Sequence, residues 1–161
     1  MLFSGIHIGG QHHGESCYYL RIYSPREYPE AGRSHCKSVW HPSFDATKQR
    51  SADLSAYDLI GFASGIDFGK FYEVVEQFLE KNLPENKRVF FLYTCARTSN
   101  RFTESVQTAA RKKGAIILGE YGCRGFNTYG PWKMIGGMNK GHPSAEELQG
   151  AVRFFESLLQ Q

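Results

Sequence analysis

The chain has 161 residues, of which 41% are hydrophobic and 22% are charged, a length that suits one compact domain of roughly 100–200 residues and hardly allows two. No apolar run approaches the roughly 18–20 residues of a membrane-spanning helix, and the N-terminus MLFSGIHIGGQHHGESC does not have the form of a signal peptide. The formal net charge is only +3, with no basic run longer than residues 111–113, which argues against nucleic acid as a partner. We therefore expect one soluble cytoplasmic domain with neither a membrane nor a nucleic acid as partner.

The cysteines and histidines match no common metal or disulfide pattern. No C-x-x-C pair occurs among the four cysteines, which are Cys17, Cys36, Cys95 and Cys123, so neither a zinc site nor a disulfide framework is indicated. Five of the six histidines lie in residues 1–50, but their spacing fits neither C-x-x-C nor H-E-x-x-H. We expect reduced thiols and no metal.

Residues 1–50 contain three of the six prolines and show no sustained period of 2 or 3.6. Only residues 18–23 there are typical of a strand. From residue 51 onward, apolar runs at 59–63, 88–93 and 115–119 predict strands. They alternate with helical patterns at 71–79, 102–110 and 148–159, the second ended by Gly114 and the third opened by a capping box of Ser144 and Glu147. This alternation predicts a three-layer, doubly wound α/β fold with a parallel sheet.

Ligands of such sheets bind beyond the carboxyl ends of the strands, which selects the loops 64–71, 94–101 and 121–142. The first loop, SGIDFGKF, offers flexible glycines and the flat ring of Phe68. Its alternative interpretation is a tight turn whose Phe68 and Phe71 cap the core. The second loop supplies hydroxyls and two arginines, and its alternative is a solvated helix cap with Ser99 or Asn100 as N-cap.

The third loop is unusually long, and loops of that length in compact domains are usually functional. We expect it to be ordered, with Phe126, Tyr129 and Trp132 partly buried. Cys95 and Cys123 each follow a predicted strand. A nucleophilic thiol there would need a lowered pKa and a base such as His142, so buried inert thiols are the favoured interpretation.

The segments LSAYDLIGFASGIDFGKFY, VFFLYTCART and CRGFNTYGPWKMIGG resemble the short single-domain kind of flavodoxin-like FMN-binding protein, over about residues 53–160. The resemblance implies a five-stranded parallel sheet in the order 2-1-3-4-5 with FMN at its carboxyl edge. Loops 64–70 and 94–98 would then flank the isoalloxazine ring, with Phe68 stacking on it. The implied FMN contacts are Ser64, Gly65, Ile66, Phe68, Gly69, Thr94, Cys95, Ala96 and Arg97.

The function that the resemblance implies is an electron-transfer flavoprotein, either an electron carrier or a small FMN-dependent oxidoreductase. Its partner would be a redox protein or a small-molecule electron acceptor, and the bound flavin would carry the electrons. Two alternatives stay open. One is a flavin-free flavodoxin-like scaffold that acts as a binding module, and the other is a thiol-dependent enzyme that uses Cys95 or Cys123.

The family's hydroxyl-rich phosphate loop and the helix after it are not matched at the N-terminus. The nearest match is residues 11–16, but Pro25 and Pro29 exclude a helix in the segment that follows. A shift of one base in permitted codons for residues 18–44 gives IICVSIVHENTRKLAGAIAKAFGIPA, a strand, phosphate turn and helix in the family's order. Because wobble bases can be chosen freely, residues 1–44 are interpreted either as a divergent, atypical N-terminus or as a segment read out of frame.

Overall fold

A computed structural model describes residues 19–23, 43–46, 48–97, 99, 101–125, 139, 142–158 and 160. The elements in these residues are β1 (Tyr19–Tyr23), β2 (Ser43–Asp45), β3 (Leu59–Asp67), β4 (Lys70–Phe71), α1 (Glu73–Asn82), β5 (Arg88–Cys95), α2 (Glu104–Lys112), β6 (Ile116–Arg124) and α3 (Ala145–Leu158). None of the helices described is long and apolar enough to cross a membrane.

Several predictions about the sequence lie outside the described residues. They include the nearest match to a phosphate loop at 11–16, the histidines of residues 1–41, and the expected burial of Phe126, Tyr129 and Trp132. The interpretation of residues 1–44 as atypical or out of frame also stays a prediction, since only β1 and the first part of β2 fall within that segment.

The strands form one mixed sheet in the order β2-β1-β3-β5-β6, with the two-residue β4 paired to the end of β3. β3, β5 and β6 are parallel to one another. β1 runs antiparallel to both of its neighbours, pairing Tyr23 with Leu59 and Leu20 with Phe62. The prediction of a wholly parallel sheet is therefore wrong at β1. Parallel neighbours are usually joined by a crossover helix. Fewer than 40 residues separate β1 from β3, and in their described part the element between the two strands is β2 rather than a helix.

Side chains alternate between two apolar layers, one on each face of the sheet. On β5, Val89 and Phe91 face a cluster that includes Val75 and Leu79 of α1 and Val106 of α2. The intervening Phe90 and Leu92 face a second cluster with Leu158 of α3. Because strand side chains alternate with a period of two, one run of apolar residues fills both layers. The three-layer α/β architecture is thereby confirmed.

Two glycines let aromatic rings lie flat on the sheet. A Cβ at Gly61 would overlap the ring of Phe90, its partner on β5, and a Cβ at Gly122 would overlap the ring of Tyr93. Only glycine, which has no side chain, fits beneath these two rings. Each ring occupies the space that a side chain on the neighbouring strand would otherwise fill.

A β-bulge in β6 sets which way its polar residues point. The pairing passes from Val89 with Ile117 to Phe90 with Gly119, which leaves Leu118 as the extra residue. The bulge turns Glu120 toward the α2 face, where Thr103 donates a hydrogen bond to its carboxylate. It also turns Tyr121 to the α3 face, where the ring stacks on Phe154.

Helix ends follow the sequence signals. Gly114, at φ +68°, ends α2 as predicted, and the N–H of Ala115 bonds the carbonyl of Ala110. The capping box before α3 is also confirmed, because the N–H of Glu147 donates to Ser144 Oγ (3.2 Å) and the N–H of Ser144 donates to Glu147 Oε2 (2.7 Å).

Candidate functional site at the carboxyl edge of the sheet

The carboxyl ends of β3, β5 and β6 lie side by side. Gly65 pairs with Thr94, Thr94 with Cys123, and Cys95 with Arg124. Adjacent strands are about 4.8 Å apart, so the loops that follow these strands begin within about 10 Å of one another. The structure thus brings the two loops of the predicted FMN site together at one edge.

The first of these loops is a β-hairpin. β3 continues to Asp67, and β4 pairs back onto it through Ile66 with Phe71 and Asp67 with Lys70. Phe68 and Gly69 form the two-residue turn at φ +45° and +83°, which fits a type I′ turn. The alternative interpretation of the segment 64–71 as a tight turn is therefore right, although β3 continues through the first part of the predicted loop to Asp67.

The two phenylalanines of this hairpin have opposite environments. Phe71 is fully buried and packs edge-on against Phe91 and Tyr93, so it caps the core. Phe68 is 89% exposed at the tip. The core-capping interpretation is therefore right for Phe71 and wrong for Phe68.

Ser64 is buried, and its hydroxyl is used within the protein. Its Oγ donates to the carbonyl of Gly65 (2.6 Å) and accepts from the N–H of Tyr72 (3.1 Å). The Tyr72 ring lies over Gly65, where a Cβ would come within 2.9 Å of it. Ser64 therefore anchors the base of the hairpin, and of the predicted contacts here it is Gly65, Ile66, Phe68 and Gly69 that have exposed surface.

The second loop presents Ala96 and Arg97 to solvent, while Thr94 is half-buried and Cys95 is buried. Ser99 braces this loop, since its carbonyl accepts from the Tyr93 hydroxyl (3.0 Å) and its Oγ accepts from the N–H of Arg101 (3.4 Å). Ser99 is not the helix N-cap that the sequence suggested. α2 begins at Glu104 with Thr103 in the cap position, and Asn100 lies outside the described residues.

Asn139 joins the third loop to the second, a contact that sequence analysis missed. Its side-chain amide donates to the carbonyls of Ala96 (3.1 Å) and Gly125 (3.4 Å). The N–H of Gly125 in turn donates to the carbonyl of Cys95 (2.9 Å). Asn139 has a φ of +60°, a conformation that asparagine tolerates better than most residues do. An asparagine within a glycine-rich stretch is the feature of the sequence that could have pointed to this residue.

His142 and Glu147 form a second polar cluster beside this edge. His142 Nδ1 lies 2.7 Å from Glu147 Oε2, and the N–H of Arg124 donates to Glu147 Oε1 (3.2 Å). Partial burial acts to raise the pKa of Glu147. Hydrogen bonds from the Ser144 N–H, His142 and the Arg124 N–H outweigh it and hold the pKa below its ordinary value.

Cys95 and Cys123, the cysteines within the described residues, are buried, free thiols on adjacent strands. Cys95 Sγ donates to the carbonyl of Cys123 (3.6 Å). Burial raises the pKa of Cys95 to about 11, and burial together with the nearby Glu147 carboxylate raises the pKa of Cys123 to about 12. A thiolate is the reactive form, so this geometry disfavours a thiol-dependent enzyme. The buried thiol of Cys95 is therefore withdrawn from the surface at which a ligand would bind.

Comparison with known proteins finds a relative of this chain in an archaeon. No family model matches the chain, and no solved structure matches it. The chain is 40% identical over 108 residues to an uncharacterized protein of Methanocaldococcus jannaschii. The matched region covers 66% of this chain and 72% of that protein.

Proposed function

We propose that this chain, which belongs to the same family as the M. jannaschii protein, is a flavodoxin-like flavoprotein that binds FMN and passes electrons to a redox protein or a small-molecule acceptor. One observation carries the proposal. The hairpin that ends β3 and the loop that follows β5 lie just beyond the last paired residues of these neighbouring parallel strands, Gly65 and Thr94. This is the edge at which open α/β sheets bind ligands.

The sheet gives partial support to the flavodoxin-like assignment. With β4 left out, the strands lie in the chain order 2-1-3-4-5, and helices cover both faces. β1 departs from that pattern because it runs antiparallel to β3. Its carboxyl end lies beside Leu59, at the edge opposite the two loops, whereas a phosphate loop that follows the first strand would need the same edge.

The exposed surfaces of the loops fit the ring of a flavin better than its phosphate. Phe68 offers an uncovered aromatic face, and open space surrounds the position of a Cβ on Gly69. Ala96 and Arg97 are exposed on the second loop. Bound FMN supplies reversible one- and two-electron transfer, while these residues would bind and orient its ring. Ser64 and Cys95 would contribute backbone groups alone.

The direction of β1 favours one other function, a flavin-free binding module on the same scaffold. If no phosphate loop reaches the carboxyl edge, the hairpin and the second loop still form a surface that can bind another ligand. Titration with both FMN and riboflavin, which has the same ring without the phosphate, separates these cases, because a flavin-free module binds neither.

The test is a fluorescence titration of the full chain with FMN and with riboflavin. The proposal predicts saturable quenching of FMN fluorescence and about a threefold to tenfold loss of affinity in Phe68→Ala, since aromatic stacking contributes about 0.5–1.5 kcal/mol. Ile116→Ala is the matched control, because Ile116 is also an exposed apolar residue (58%) but lies at the amino end of β6. If neither flavin is quenched, the flavin-free module replaces the proposal. If Phe68→Ala binds FMN as tightly as the unchanged chain, the assignment of Phe68 is wrong.

A further inference from the structure

A histidine and a carboxylate lie in contact at the carboxyl edge, and the proposed flavin contacts make no use of them. His142 Nδ1 lies 2.7 Å from Glu147 Oε2, and the two side chains keep 30% and 21% of their surface exposed. Glu147 belongs to the capping box before α3, but a capping box needs only Ser144 and Glu147. The contact of His142 with this carboxylate is therefore additional to the helix cap.

The hydrogen bonds of Glu147 decide which nitrogen of His142 donates to it. Burial acts to raise the pKa of Glu147, but its hydrogen bonds from Ser144, His142 and Arg124 hold that pKa below the ordinary value. Glu147 is therefore an ionised carboxylate, which can only accept hydrogen bonds. His142 Nδ1 must then be the donor, and in the neutral ring Nε2 is left as a proton acceptor. Nε2 has no hydrogen-bond partner among the residues that the structure describes.

The pair lies beside the second loop of the proposed flavin site. The N–H of His142 donates to the carbonyl of Asn139 (3.1 Å), and the Asn139 amide donates to the carbonyl of Ala96 in that loop (3.1 Å). The carboxylate that contacts the histidine accepts from the N–H of Arg124. Arg124 is in turn the neighbour of Cys95, the last residue of β5. These bonds hold the histidine close to the edge at which the flavin is proposed to bind.

A carboxylate that orients a histidine through Nδ1 leaves Nε2 placed to exchange a proton with a substrate. The carboxylate stabilises the imidazolium, and histidine exchanges protons near neutral pH. Transfer of an electron to a metal centre needs no proton donor, whereas reduction of a carbonyl oxygen to a hydroxyl needs one. Quinones are the carbonyl compounds that accept two electrons most readily, because the product ring is aromatic. The pair therefore favours a small-molecule acceptor over a redox protein.

We propose that His142 donates a proton to a quinone that is reduced at the carboxyl edge, with Glu147 as the positioning residue. This inference rests on the proposed function, because reduced FMN is the electron donor. The quinone takes a hydride, which is a proton with two electrons, from reduced FMN. One quinone oxygen takes a second proton from Nε2 of the His142 imidazolium. The products are a hydroquinone, oxidised FMN and a neutral imidazole, which regains its proton from water.

The experiment uses the full chain loaded with FMN, which dithionite reduces in the absence of oxygen. Stopped-flow absorbance then follows the reoxidation of the flavin by duroquinone and, in parallel, by ferricyanide. Duroquinone takes up two electrons and two protons, and its fully substituted ring does not add thiols. Ferricyanide takes up one electron and no proton. Reoxidation by ferricyanide therefore reports any damage to flavin binding or to the edge that is unrelated to proton transfer.

The test variant is His142→Asn, because the asparagine amide can take the place of Nδ1 and still donate to Glu147. We expect this variant to reduce duroquinone about 10²-fold more slowly than the unchanged chain, since general acid catalysis contributes about that factor or more. Its rate with ferricyanide should not change. Glu147→Gln should slow duroquinone reduction by at least about tenfold. The matched control Glu146→Gln, at an exposed position of the same helix turn, should not.

A second measurement needs neither flavin nor turnover. Diethyl pyrocarbonate acylates the unprotonated nitrogen of accessible histidines, and mass spectrometry of the peptides distinguishes His142 from the other five of the six histidines. We expect His142 to be acylated in the folded chain, because Nε2 is accessible. Duroquinone should slow this acylation in the chain loaded with oxidised FMN, because the bound quinone would cover Nε2.

A folded chain in which His142 resists acylation would overturn the proposal, because no substrate could reach Nε2. So would a His142→Asn variant that reduces duroquinone as fast as the unchanged chain, and this result would leave the proposed function standing. Equal slowing with duroquinone and ferricyanide would give His142 a purely structural role and also overturn the proposal. A chain that takes up no FMN would reject the proposed function and, with it, the quinone as substrate.

Discussion

Replacing Glu147 by alanine is expected to lower the free energy of unfolding by about 2 kcal/mol. The carboxylate accepts hydrogen bonds from the N–H groups of Ser144 (2.7 Å) and Arg124 (3.2 Å) and lies 2.7 Å from His142 Nδ1. Each such bond contributes about 0.5–1.5 kcal/mol net, and the loss of a capping interaction costs about 1 kcal/mol by itself. The expected decrease in the melting temperature is about 4–8 °C for a chain of this size.

The assay is denaturant and thermal unfolding of Glu147→Ala beside the control Glu146→Ala. Glu146 lies in the same first turn of α3, and its side chain is exposed, so the control removes the same charge from the same helix end without removing those bonds. It should lose less than about 1 kcal/mol, the usual size of an interaction with the helix dipole.

The contribution of Glu147 should also depend on pH. Its pKa is depressed in the folded chain, so its stabilisation is present above the pKa of the unfolded chain and is lost as the pH falls through the folded-state pKa. The stability difference between the unchanged chain and Glu147→Gln should therefore shrink between about pH 5 and about pH 3. A difference that stays constant over this range, or a Glu147→Ala variant as stable as Glu146→Ala, would refute the reasoning.

Three further predictions concern the sheet and its edge. Gly61→Val should destabilise the protein by about 1–3 kcal/mol in denaturant unfolding, because the new side chain meets the Phe90 ring; an unchanged midpoint would show that the ring moves away at little cost. In a Cys17→Ser, Cys36→Ser variant, Cys95 and Cys123, whose pKa values burial raises, should react with a thiol reagent such as DTNB only when the chain unfolds, and rapid labelling of the native variant would contradict their burial. Phe68→Asn should raise stability by about 0.5–1 kcal/mol, because asparagine accepts the positive φ of the turn, while it weakens flavin binding; a less stable variant would show that Phe68 makes stabilising contacts.

The helices and parallel strands from residue 51 onward could be predicted because local pattern decides them. Apolar runs such as 88–93 fill both layers, and Gly114 and the Ser144 capping box mark helix boundaries by chemistry that depends on nearby residues alone. The strand ends were underestimated. β3 and β6 each continue past their apolar runs, to Asp67 and Arg124, because strand pairing rather than hydrophobicity holds those residues.

The direction of β1 and the contact of Asn139 could not be predicted in the same way. The amino-acid pattern of a five-residue strand is the same whether the strand pairs parallel or antiparallel. The direction of β1 is decided by its tertiary pairing with β3. Asn139 and Ala96 are 43 positions apart in the sequence. Hydrophobic periodicity carries no information about contacts between residues so far apart in the chain. The hairpin turn carried a local signal in Gly69, but phenylalanine at the position before it is not the residue that a type I′ turn favours.

The most direct test of the central claim is to map the flavin on the chain by NMR. Amide resonances of the ¹⁵N-labelled full chain are followed during titration with riboflavin and with FMN. The account predicts that the largest shifts for both flavins cluster at Gly65, Ile66, Gly69, Ala96 and Arg97, the exposed backbone of the two loops at the carboxyl edge. Shifts that cluster instead at the amino ends of the strands, around Asp58, Lys87 and Gly114, or no saturable shifts with either flavin, would contradict it.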